Sequence, residues 1–263
     1  KHQDWFDVKV GRLGLSGIDL PAYFSEKVVR IKNVEVDNAE LQNFKNQQIA
    51  VPRRIVPMIY SGLQKTPVKM AIDSLRVNNF SVVYEELSKK GIQPGKLFFT
   101  EMNGKFSGFT NVVSYPDQYI RLDANGKLMG KGYFTATWQF PVDSLNDRFL
   151  LDAHMEDFDL TALNQLITPL AFAKVESGKL VDFTFSTEAS TKGATVDMLF
   201  LYRDLKAEIM KEKNGEVIDN KFLSRLANLV LKHDNPDHPE QGTYSPRYSH
   251  LTIERDPYHS TFN

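Results

Sequence analysis

Residues 75–82 read Leu-Arg-Val-Asn-Asn-Phe-Ser-Val, LRVNNFSV. Apolar side chains stand at 75 and 77, then at 80 and 82, so each pair alternates as a half-buried strand does. The step of three between the pairs breaks that alternation. In an unbroken strand Leu75 and Val77 would face one side of a sheet, Phe80 and Val82 the other. Asn78-Asn79 must therefore turn the chain back or bend it.

The octet recurs. Leu13–Leu20 (LGLSGIDL), Val34–Leu41 (VEVDNAEL) and Ala153–Leu160 (AHMEDFDL) repeat it, as does Phe200–Ala207 (FLYRDLKA) more loosely; Ala173–Leu180 (AKVESGKL) is a degenerate copy with Gly one place later. The pattern is apolar, any, apolar, two polar or small residues ending in Asn, Asp or Gly, apolar, any, apolar. Self-similarity of this kind marks a repeated structural unit. Two readings fit the break. Asn-Asn, Asp-Asn and Ser-Gly tolerate positive φ and suit a two-residue hairpin turn. Alternatively, one extra residue makes a β-bulge that bends the strand and returns the apolar set to one face. Arms of three residues make weak hairpins, which favours the bulge.

Plain alternation over Phe134–Phe140, Val181–Phe185 and Val196–Phe200 predicts further strands, punctuated by turn glycines at 104, 108, 126 and 130. Helices are expected over Pro57–Leu63, over Leu160–Ala171 with Thr161 able to cap, and over Val217–Leu231, whose apolar stripe is Ile218, Phe222, Leu226, Leu229 and Val230. Residues 233–248 read as a polar loop and Tyr248–Arg255 as a last strand. The expected fold is mainly β: an elongated, twisted and curved, antiparallel-rich sheet of repeated units forming a groove, with two or three packed helices. It reads as one β-rich region over 1–263, softly divisible into 1–125 and 126–263.

The 263 residues are 41% hydrophobic and 25% charged, enough for a core. The 32 basic and 33 acidic side chains leave a net charge of −1, which argues against a nucleic-acid partner. Without cysteine there are no disulfides, thiolate metal sites or cysteine nucleophiles. No apolar run approaches the ~20 residues of a membrane span. The sequence opens at Lys1 on an amphipathic segment and reads as a piece of a longer protein, with any anchor outside it.

No catalytic constellation is legible, so no catalytic residue, cofactor or metal site is expected. His233 and His238, with Asp234 or Asp237, match no ligand spacing. His154 reads as a surface residue and His259 as incidental. Asn125–Gly132 (NGKLMGKG) lacks the spacing of a phosphate loop and reads as turn glycines. Acidic pairs such as Glu85-Glu86 and Asp157/Asp159 read as solvated faces. What remains is apolar strand surface, which serves either as core or as a groove for lipid or protein. The candidate groove or core residues are Leu75, Val77, Phe80, Val82, Val34, Val36, Leu41, Met155, Phe158 and Leu160. The alternative is a carbohydrate- or protein-binding β module at the cell surface, carrying an aromatic patch from Tyr84, Tyr115, Tyr119 and Trp138.

The succession of an octet, a short Pro-flanked helix, Pro67–Glu86 (PVKMAIDSLRVNNFSVVYEE) and Pro94–Asn111 (PGKLFFTEMNGKFSGFTN) resembles the AsmA-like proteins of the bacterial envelope. So does the stretch from Leu128 to Leu180, with its strands, its small helix at Leu163-Asn164 and its Gly-x-Leu strand. Val196–Gly215, with Tyr202-Arg203-Asp204-Leu205, and Ile253–Asn263 are similar to the C-terminal region of such proteins in Bacteroidetes-type bacteria. The resemblance covers roughly residues 28–263 and carries no catalytic signature. It implies a non-enzymatic periplasmic protein, anchored at the inner membrane by a helix outside this stretch. It also implies that an apolar β groove handles phospholipid acyl chains between the two membranes, with other envelope proteins as partners.

Overall fold

The computed structural model describes residues 5–49, 55–115, 117–142, 147–209, 234–235, 248–256 and 258. The expected helix at 217–231, and His233, Asp237, His238 and His259, lie outside these.

Among the described residues ten strands form one open sheet in strict chain order. They are β1 (Trp5–Asp19), β2 (Val28–Asn46), β3 (Lys69–Leu87), β4 (Gly95–Thr110), β5 (Tyr119–Leu128), β6 (Gly132–Pro141), β7 (Phe149–Asp159), β8 (Ala173–Ala189), β9 (Gly193–Ile209) and β10 (Tyr248–Glu254). Every neighbouring pair is antiparallel except β2 and β3, which run parallel. Among the described residues three short helices interrupt the strands: α1 (Leu20–Glu26), α2 (Ile59–Gln64) and α3 (Asn164–Ala171), the last preceded by a 3-10 turn at Leu160–Leu163. The Asn125–Gly132 stretch forms the β5–β6 hairpin around Met129 and Gly130, at φ 52° and 69°. The soft division near residue 126 therefore falls inside continuous sheet.

The octets behave alike. The fifth residue of each regular copy sits in the left-handed region: Gly17 at φ 69°, Asn38 at 55°, Asn79 at 53°, Asp157 at 52° and Asp204 at 54°. In the degenerate copy Gly178, one place later, sits at 152°. No copy turns back as a hairpin. One residue in a positive-φ conformation bends the strand and restores the apolar side chains to one face. The pairing shows the outcome: Leu75 lies between Val34 and Phe106, and Val82 lies between Leu41 and Phe99, with the break between them. Apolar thus meets apolar on both sides of Asn79.

Two octets stop one residue short. Asp19 and Asp159, each in seventh position, end a strand and cap the helical turn after it. Asp19 Oδ1 accepts from the Ala22 N–H at 3.0 Å, and Asp159 Oδ1 accepts from the Thr161 N–H at 2.9 Å. The cap on the expected 160–171 helix is therefore Asp159, and Thr161 supplies the N–H instead of the expected hydroxyl acceptor. A carboxylate fits because the first N–H groups of a helix have no partner of their own.

One face of the sheet is apolar and two short covers pack on it. At one end Met58 and Tyr60 close over Ile120, Phe140, Val142, Phe149 and Ala189. The Tyr60 hydroxyl donates to the Val142 carbonyl at 2.7 Å, and the Asp147 carboxylate accepts from the Ser61 N–H at 3.0 Å. At the other end Leu160, with Leu163 and Ile167, covers Phe158, Val175, Leu180, Tyr202 and Leu205. The Asn164 amide locks that cover by bonding both ways to the Val175 backbone, each at 2.7 Å. Burying these side chains contributes about 1.5–3 kcal/mol apiece.

Candidate functional site: an apolar furrow between two covers

Between the covers the same face is only half-buried. Tracing paired residues from strand to strand gives a row of small side chains across the sheet: Val77, Gly104, Ala124, Ala136, Ala153 and then Phe185. Larger side chains flank it. On the side of α2 run Leu75, Phe106, Leu122, Trp138 and Leu151. On the side of α3 run Phe134, Met155, Phe183 and Phe200, with Phe80 and Met102 continuing toward β3. The result is a furrow crossing the strands, with a floor of Gly and Ala on β4–β7. At ~4.8 Å between strands, those four span about 14 Å. Gly126 is required at its α3-side wall: a Cβ there would lie 2.5 Å from Met102 Cγ and 3.1 Å from Phe134 Cε1.

The candidate residues divide along this line. Val36, Leu41, Leu75, Val77, Phe80, Val82 and Met155 are half-buried or border half-buried surface. Phe158 and Leu160 are core, at 1% and 4% exposure, under the 160–171 cover. Val34, at 6%, is buried beside Leu75. Phe99, Met102, Phe106, Leu122, Phe134 and Trp138 belong to the face as well but are not octet positions of the sequence reading. Their signal is plain alternation, which core strands share.

The four aromatics of the alternative reading do not gather. Tyr84 bonds Glu86 at the α3 end, Trp138 packs against Phe140 and Phe149 near α2, and Tyr115 and Tyr119 lie exposed beyond that end. The acidic pairs have local partners. Glu86 is buried with Tyr84, the Gln47 amide and Lys45; Asp157 pairs with Lys179 at 2.6 Å; Asp159 is the helix cap. Asp234 accepts from the Asp204 N–H at 2.8 Å, holding the strand bend there.

The opposite face is charged. One transverse row reads Glu35, Arg76, Lys105, Asp123, Thr137, Asp152, Ser186, Asp197, His250. Here Arg121 grips Asp123 with two nitrogens, at 2.7 and 2.9 Å, and Thr137 donates to the same carboxylate. These bonds, that from Arg121 foremost, hold the Asp123 carboxyl below its usual range. The same face brings His154, Glu156 and Asp182 together. Sequence spacing makes His154 a lone surface residue because Asp182 comes from the neighbouring strand.

No protein-family model matches this chain, and no curated protein matches it.

Proposed function

We propose that this chain is a non-enzymatic envelope protein whose furrow holds lipid acyl chains, as part of phospholipid handling between the inner and outer membranes. In this reading the protein lies in the periplasm, anchored to the inner membrane from outside the sequence described. The observation that carries it is the row Gly104, Ala124, Ala136, Ala153, a smooth apolar floor between taller walls on a face left half-bare by its two covers. Each CH₂ removed from water contributes ~0.8 kcal/mol, so a few contacting carbons give weak, mobile binding. The floor and walls named above carry no charged group to fix a head group, which suits a site that accepts chains by shape.

The test is native mass spectrometry and lipid extraction of the purified protein, with binding of a fluorescent fatty acid. Ala136→Trp fills the floor and is expected to lower acyl-chain binding at least tenfold. Thr135→Trp, one residue away on the opposite face, is expected to leave it unchanged. Repeated absence of bound acyl chains, or equal binding by Ala136→Trp, would sink the proposal.

A further inference from the structure

The charged face carries a constellation with chemistry of its own. His154 and Glu156 are two apart on β7 and project to the side opposite Met155. Asp182 stands directly across from Glu156 on β8. His154 Nε2 and Asp182 Oδ2 are 3.0 Å apart, and one ligand atom from each of the three residues falls within 4.8 Å of the others. Two carboxylates opposite one another in a sheet repel. Among the described residues no lysine or arginine pairs with either of them. The His154 and Asp182 side chains are 45% and 31% exposed, so water and ions reach them and rotamer adjustment is cheap.

We propose that His154, Glu156 and Asp182 form a binding site for a divalent first-row transition cation. One imidazole and two carboxylates supply three ligands at the ~2.0–2.2 Å bond lengths such ions take, with water filling the open positions. Small side-chain rotations bring the three donors to that distance. The ion neutralises the facing carboxylates. The imidazole selects zinc-like ions over magnesium and calcium, which prefer all-oxygen sets. The molecule contains its own comparison. His250 Nδ1 and Asp197 Oδ1 lie 2.7 Å apart across β10 and β9, the same pair of groups, but no third ligand joins them among the described residues.

The experiment is calorimetric titration of the full chain with zinc chloride, repeated with magnesium chloride. Nickel-induced broadening of backbone amide signals locates the ion. Wild type is expected to show one saturable zinc site, with broadening centred on β7 and β8, and no magnesium heat. His154→Ala and Glu156→Gln are expected to weaken zinc binding about tenfold or more; His250→Ala is expected to leave it unchanged. All three positions are surface residues, and circular dichroism verifies folding. Absence of saturable zinc binding, full affinity in His154→Ala, or an equal loss in His250→Ala overturns the proposal.

Discussion

A single residue whose backbone is held at φ 53° determines whether the sheet keeps a consistent apolar face. At Asn79 the cost of the left-handed conformation is low, because Asn visits it more readily than other residues with a Cβ. Neighbours secure it: Asn79 Nδ2 donates to Asn38 Oδ1 at 2.7 Å, and its N–H donates to Asn103 Oδ1 at 3.1 Å. Asn38 is itself at φ 55° on the adjacent parallel strand, so two bent residues brace one another. Asn79→Gly and Asn79→Val both remove the side-chain bond, and only the valine must also be forced into positive φ. Urea unfolding is expected to place Asn79→Val below Asn79→Gly by about 1–2 kcal/mol. Equal stability would mean that the left-handed backbone at this bend carries no penalty for a residue with a branched side chain. Glu101 makes the matching bend on β4 at φ 52°, assisted by Lys127 at 2.7 Å. Its sequence, Leu97–Gly104, hides it, because Glu stands at the bend where the octet wants Asn, Asp or Gly, and Gly stands where it wants its last apolar residue.

At the scale of elements, the octet's parity is readable in the sequence and its strand partners are not. Val34–Leu41 and Leu75–Val82 start 41 residues apart, and β2 pairs with β3 at that same offset throughout, Val34 against Leu75 and Leu41 against Val82. The pattern states which residues share a face; whether two copies lie side by side, and in parallel, depends on the crossover through 47–68. The same limit explains Phe158 and Leu160. An apolar face reads alike whether water or a helix lies on it, so only the docking of 160–171 separates core from furrow. Helix α1 escapes the sequence reading although Asp19 and Pro21 carry a start signal of cap followed by Pro. Asp159 gives this level its test. Asp159→Ala is expected to lower stability by ~1 kcal/mol through the lost cap. Bonds from the Thr161 hydroxyl, and then from its N–H, hold the Asp159 carboxyl below its ordinary 3.8. A depressed folded value means that its stabilisation is present above the unfolded value and fades as pH falls through the folded one. The gap between wild type and Asp159→Ala in thermal melts should therefore be constant near neutrality and narrow below pH ~3.8. A gap that stays constant to pH ~2 would assign the loss to something other than the ionised cap.

For the whole molecule, one sheet with one apolar face has to end somewhere, and among the described residues no further strand follows β1 at that edge. Val8, Val10, Leu13 and Leu15 pair inward with Leu41, Ala39, Val36 and Val34, so they continue the apolar face, yet they are 62%, 50%, 60% and 49% exposed. Among the described residues no strand pairs with the outer edge of β1. Sheet edges with this character template further pairing unless charge or a cover blocks them. Two basic residues of β1, Lys9 and Arg12, lie close to Asp7 and Asp37 at 3.8 and 3.6 Å, which blunts their repulsion of a second edge. The isolated chain is accordingly expected to associate as its concentration rises, by sedimentation velocity. Val10→Lys with Leu13→Lys is expected to shift that association to at least tenfold higher concentration while changing unfolding stability by less than ~0.5 kcal/mol per site, as exposed substitutions do. Because these residues adjoin the furrow only through β2 and β3, acyl-chain binding should survive the double substitution. Association unchanged by the lysines would show that contacts elsewhere hold the chains together.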